Sequence, residues 1–372
     1  MLIGAPKDKP FDPSSKPPEA QYNQKLLRGP HHRIVDLQQD QLNPKKSNEA
    51  ARRRYVVLQP GMHYWEGNQW KESMELIEKE GTGAIARQGQ YKVRFAPNLN
   101  TAGAIDLTMP GGTRLRSHVL GLSYYDAATR LSALIAEVKD SVGEILPPNR
   151  IIYRDVFEGL KADVRYTWRK GDFEQDVILR ENPPGPETFG LNPETSRLEV
   201  LTEFVDAPKP VKLEKVLRKE TDAQKQRQRL EPDLVDETLG FGEMTMTHGR
   251  AFELEEEMPE YWRAALVAAG LEVVRELKPQ VPVAKRWETL DGTRTFLIEA
   301  VELESVKVEL RKLPAAKTQR RKQASLHRES PATRVASRGQ ADGEIFLAAS
   351  EDLSPGFEPL GTGKMNPSGT SN

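Results

Sequence analysis

From residue 81 to residue 204 the dominant hydrophobic period is two. Tyr91, Val93 and Phe95 alternate with Lys92 and Arg94, and Ile105, Leu107 and Met109 alternate with Asp106 and Thr108. A period of two places successive side chains on opposite faces of an extended chain, so these stretches predict half-buried strands. Pro110-Gly111-Gly112 turns the chain into a further strand over 115–123. Ala162, Val164, Tyr166 and Trp168 alternate against charged or polar neighbours, Lys170-Gly171-Asp172 follows, and Phe173, Gln175, Val177 and Leu179 resume the pattern, which predicts a hairpin with a Gly-containing loop. Leu198, Val200, Thr202 and Phe204 form another strand, reached through ENPPGPETFGLNPE, whose prolines exclude a central strand. The turn signals Pro60-Gly61 and Glu66-Gly67-Asn68 open the ordered region at Tyr55. Strands recurring every 10 to 15 residues without helical crossovers predict a mostly β fold, an antiparallel β-sandwich-like architecture with one short helix and disordered tails.

Five segments follow. Residues 1–54, with six Pro in the first thirty, read as a disordered arm, and 55–206 as the sandwich. Residues 207–257 read as a charged linker or long loop, because 231–260 carry ten acids against one Arg. In 258–314, PEYWRAALVAAGLEVVREL from Pro259 predicts a helix, while RTFLIEAV and 306–310, with Asp291-Gly292 as the turn in front of them, predict strands that pack on or extend the sandwich. Residues 315–372 read as a disordered tail.

Composition narrows the chemistry. With 54 Lys and Arg against 55 Asp and Glu, no global field draws the chain to polyanions. The local +8 over 307–338 lacks interleaved aromatics for base stacking, so nucleic-acid contact is disfavoured. No apolar run is long enough to span a bilayer. The absence of Cys excludes disulfides, zinc thiolates and Cys nucleophiles.

Candidate sites are sparse. Glu174 and Asp176 share one face of a strand, the spacing that paired carboxylates of a glycosidase would exploit; a solvated sheet face is the favoured reading. Glu158 and Asp163 are discounted in the same way. His63, His118 and His248 meet no G-x-S-x-G elbow or metal spacing, and the glycines at 81, 83 and 89 precede a strand rather than a helix, so no catalytic, metal or cofactor residue is assigned. Tyr64, Trp65, Trp70, Tyr124 and Tyr125 form the candidate ligand-contacting set, a platform for stacking sugars, with a place in the sandwich core as the favoured reading. The common expectation is that aromatic residues lie inside and ionised groups outside in water.

Four stretches carry a resemblance: NLNTAGAIDLTMPGGTRLRSHVLGLSYYDA, EILPPNRIIYRDVFEGLKADVRYTWRKGDFEQDVILRENP, FGEMTMTHGRAFELE and VAKRWETLDGTRTFLIEAV. Together they resemble the N-terminal β-rich module of large exported or surface multi-modular bacterial proteins, of the kind that precedes SBBP-type propeller, lectin-like or RHS/YD repeats. The phrase built from Tyr153, Val156, Phe157, Gly159, Leu160, Ala162, Asp163, Val164 and Tyr166 carries it most distinctly. The resemblance covers residues 55–314 and implies a non-catalytic structural or adhesive role, an extracellular or surface location, and other modules or surface glycans as partners. The alternative is a carbohydrate-binding or carbohydrate-active module. The opening MLIGAPKDKPFDP has no apolar core of a secretory signal and no repeats follow residue 314, which suggests a fragment of a longer gene product.

Overall fold

The computed structural model describes residues 28–37, 53–254, 280–290, 294–316 and 353–355. The described chain is almost entirely strand. It begins with β1 (His32–Leu37), β2 (Arg53–Leu58), β3 (His63–Glu66), β4 (Gln69–Glu72), β5 (Glu78–Glu80), β6 (Gly83–Ala86), β7 (Lys92–Phe95) and β8 (Ile105–Thr108). There follow β9 (Arg114–Asp126), β10 (Leu131–Glu137), β11 (Gly143–Leu146), β12 (Arg150–Tyr153), β13 (Ala162–Trp168), β14 (Phe173–Leu179) and β15 (Ser196–Val205). The last third holds β16 (Val211–Arg218), α1 (Ala223–Gln228), β17 (Leu234–Phe241), β18 (Met244–Met246), β19 (Gly249–Ala251), β20 (Val281–Leu290), β21 (Arg294–Glu302), α2 (Leu303–Leu310) and β22 (Leu353–Pro355).

One large antiparallel sheet runs in the order β19-β20-β21-β15-β9-β8-β7-β6-β5. At its centre β9 pairs with β15 along one side, while β8 and β10 divide the other side between them, β8 at residues 114–117 and β10 at 121–126. Two smaller sheets, β11-β12-β13-β14 and β16-β17-β18-β22, cover the face bearing Leu198, Val200 and Phe204. On the first, Phe95 meets Tyr166 and Phe173 with ring centroids 6.0 and 6.1 Å away. On the second, Trp287 lies between Phe204 and Phe241, at 4.8 and 5.4 Å. One continuous apolar core therefore extends from Ile77 to Leu303, in a sandwich-like architecture.

The predicted hairpins form as expected. β13 and β14 pair from Ala162↔Leu179 to Trp168↔Phe173, closed by the Arg169 N–H donating to the Asp172 carbonyl at 2.9 Å. Gly67 and Asn68, at φ 59° and 65°, make the primed turn joining β3 and β4. The proline-rich loop forms a short 3₁₀ turn over Pro186–Phe189 rather than a strand.

Elsewhere the structure departs from the sequence reading. Residues 207–257, expected as linker or loop, supply β16 to β19 and α1. Their charge masks an alternation in which Leu234 and Asp236, then Leu239 and Phe241, are buried. Residues 306–310, expected as a strand, belong to α2; Leu303, Val306 and Leu310 recur at helical spacing and pack on the core, with Glu304 and Lys307 paired one turn apart at 2.6 Å. β1 lies inside the stretch expected as a disordered arm and pairs with β2 from His32↔Leu58 to Leu37↔Arg53. The helix expected from Pro259, the Asp291-Gly292 turn and most of both tails fall outside the described residues. Among the described residues no helix is long and apolar enough to cross a membrane.

Candidate functional site

The expected aromatic set does not assemble into one surface. Trp65 and Trp70 are cross-strand partners on the β3–β4 hairpin, packed edge to face at 5.3 Å and half-buried. Tyr64 is 7% exposed. Tyr124 and Tyr125 are buried at 1% and 4% and so take no part in a surface platform, because adjacent residues on a strand point to opposite faces and both faces of β9 are covered here. Tyr124 enters the main core beside Phe189, 6.2 Å between centroids. Tyr125 lies on the other face and donates from its hydroxyl to Glu231 at 2.7 Å.

Glu174 and Asp176 do share a face of β14, as expected, and each is held by a cation. Arg169 reaches Glu174 at 2.8 Å. Arg165, directly opposite Asp176 on β13, bonds it through Nε and Nη2 at 3.0 and 2.8 Å. Burial pushes the Asp176 carboxyl above the ordinary range, and the Arg165 charge opposes that rise. Asp163 is likewise engaged, bonding Arg180 at 2.7 Å and the Asp155 N–H at 2.9 Å. His63 is buried with Nδ1 2.9 Å from the Gly29 carbonyl, and burial lowers its pKa. His118 is pressed down by burial against the opposing pull of Glu203, 3.4 Å away.

The densest titratable cluster lies on the second face of the large sheet. Along β15 the residues Leu198, Val200, Thr202 and Phe204 face the main core, so Arg197, Glu199, Leu201 and Glu203 face the other way. Leu201 joins Leu120, Phe296 and Ile298 in a small buried apolar group. Beside it Glu199 is fully buried. Its carboxylate accepts from Arg286 of β20 at 3.0 Å and from the Ser123 hydroxyl at 3.4 Å. Ala300 lies opposite Glu199 on the intervening strand β21 and leaves room for the guanidinium to reach across. Arg286 also lies over the Tyr125 ring, 5.2 Å from its centroid. Glu231 ties the cluster to the α1–β17 connection, through Tyr125 and through Arg197 at 3.4 Å. Loss of hydration pushes Glu199 up to about 7, with the Arg286 cation acting in the opposite direction.

A second buried pair crosses between sheets. The Lys285 ammonium bonds both oxygens of Asp236 on β17, at 2.9 and 3.2 Å, and both side chains are fully buried. Arg218 and Arg229 converge on Glu302 at the end of β21. These groups correct the expectation that ionised side chains stay in water: the sandwich encloses acids together with their counter-charges. A shallow cleft of about 330 Å³ beside β6 and β11 is lined by Lys79, Thr82, Pro97, Val142, Ile145 and Ile151 among others. It brings together one ammonium and mostly apolar walls.

No protein family, curated protein or solved structure matches the chain.

Proposed function

We propose that the chain is a non-catalytic structural or adhesive β-module of an exported bacterial protein, engaging other modules or surface glycans through its strand surfaces. The observation that carries this reading is the state of its acids. Glu199, Asp176, Asp236 and Glu302 each sit within hydrogen-bond reach of a resident cation, so each is committed to holding strands together rather than to a substrate. The half-exposed Trp65–Trp70 pair supports glycans as one partner class, since an indole face covers the C–H surface of a sugar ring.

The test is to incubate the full chain with a panel of polysaccharides, following both retention and release of reducing ends. Retention that falls in the Trp65→Ala/Trp70→Ala variant, without turnover, is the expected result. Turnover lost in a folded Asp176→Asn or Glu199→Gln variant would overturn the reading.

A further inference from the structure

β16 is the outermost strand of its sheet, with β17 on one side and no described strand on the other. Residues 211–216 are all exposed, including Val211 at 77%, Leu213 at 69% and Val216 at 52%. An edge carrying aliphatic side chains and a row of unpaired backbone groups is a template for another strand.

The residues along this edge specify what that strand is. In an edge-to-edge pair of identical antiparallel strands, a two-fold axis normal to the sheet sets residues an even number apart opposite one another. An axis at Lys212 or Lys215 sets two ammonium groups together, and one at Glu214 sets two carboxylates together. An axis at Val211 draws Pro208 and Pro210, which have no N–H, into the ladder. One at Val216 meets the irregularity between Val216 and Arg218. An axis at Leu213 keeps the five residues 211–215 clear of these obstacles, with Pro210 and Val216 left at the two ends of the ladder: leucine packs on the second copy's leucine, and Lys212 of each copy stands opposite Glu214 of the other.

Glu214 is exposed at this edge. Its partner within the sheet is Glu237, a like charge, and Lys212 bonds Glu237 at 2.8 Å. A second copy would add the positive charge of its own Lys212 on the Glu214 side, while that ammonium keeps its bonds to both Glu237 oxygens and the Trp287 carbonyl. The geometry points to β16 as a homodimerisation edge, joining two copies antiparallel about Leu213 into one continuous sheet. This goes beyond the reading above, since it holds whether or not the module binds glycans.

The wild-type chain has no Cys, so a single introduced thiol reports the register. Directly opposed residues in an antiparallel pair have Cα atoms about 4.5–5.5 Å apart, within disulfide range. Residues 215 and 215 of the two copies would lie four positions out of register, too far to bridge. Under mild oxidation, Leu213→Cys in the full chain is expected to form a covalent dimer about tenfold faster than Lys215→Cys. Glu214→Lys, added to Leu213→Cys, is expected to slow that reaction by setting ammonium against ammonium. Sedimentation of the unmodified chain is expected to show a weak dimer, with dissociation constant roughly 10–100 µM, because a single strand pair buries little area. Near-ultraviolet circular dichroism confirms that each variant is folded. Equal cross-linking at both positions, indifference to Glu214→Lys, or a monomer at about 1 mM would overturn the proposal; capture of a strand from a different protein would do so too.

Discussion

Glu199 exposes the cost of setting an acid between sheets. Its pKa rises from 4.5 to about 7 on folding, so the native state holds the proton more tightly than the unfolded chain. The stability that this group contributes is complete below about pH 4.5, falls as pH climbs from there to about 7, and is level above that. The interval corresponds to roughly 3 kcal/mol. Glu199→Gln, which cannot ionise, is therefore expected to gain on the wild type as pH rises from 5 to 7, measured as the difference between their urea midpoints. A constant difference across that range would contradict the assignment. For the fully buried Lys285–Asp236 pair, Asp236→Ala leaves an ammonium enclosed without its carboxylate. The expected loss is about 3–5 kcal/mol in denaturant unfolding. Neither site stands out in the pattern of residues: Glu199 alternates with Leu198 and Val200 as any solvated residue would, and only the second covered face makes its position unusual.

At the scale of elements, the connection between β2 and β3 illustrates how separate hairpins are fixed together. Gly61 has φ +64°, and a Cβ there would fall 1.6 Å from the Lys170 carbonyl oxygen in the β13–β14 turn. Gly61→Ala thus meets both an unfavourable backbone and an immovable neighbour. A loss of at least about 2 kcal/mol in thermal or urea unfolding is expected. The same turn receives the Tyr91 hydroxyl at the Asp172 carbonyl, 2.5 Å away. Elements with strict alternation and good turn residues, such as β7, β8, β13 and β14, were legible from the chain. β20 is hard to read in the sequence because Lys285 takes an inward position on the same face as Val283 and Trp287. α2 was misread because Val306, Val308 and Leu310 also fit a period of two, although Val308 is 68% exposed. That Tyr124 and Tyr125 both lie inside is not legible from alternation, which places neighbours on opposite faces without revealing that both are covered.

For the whole molecule, the long-range pairing of β15 with β21 unites residues 55–206 with the C-terminal strands in one sheet. Core residues from Ile77 to Leu303 form one cluster, and the strands of the last third complete the sheet begun by the first. A single coincident unfolding transition is therefore expected by far- and near-ultraviolet circular dichroism; two separated transitions would show that 55–206 and the later strands fold as independent units. The overall class, mostly β and sandwich-like, could be read from periodicity and turns, whereas strand order could not, since it depends on which distant edges meet.

The divided side of β9 has its own consequence. Because one ribbon is shared out between two neighbours end to end, the sheet forks there: β8 leads off toward β5, and β10 doubles back along β9. A fork lets the two branches flex against each other while the trunk, stitched to β15 from Arg116 to Asp126, stays put. Loosening at either outlying branch is then contained, and the enclosed charges beside the trunk keep their counterparts.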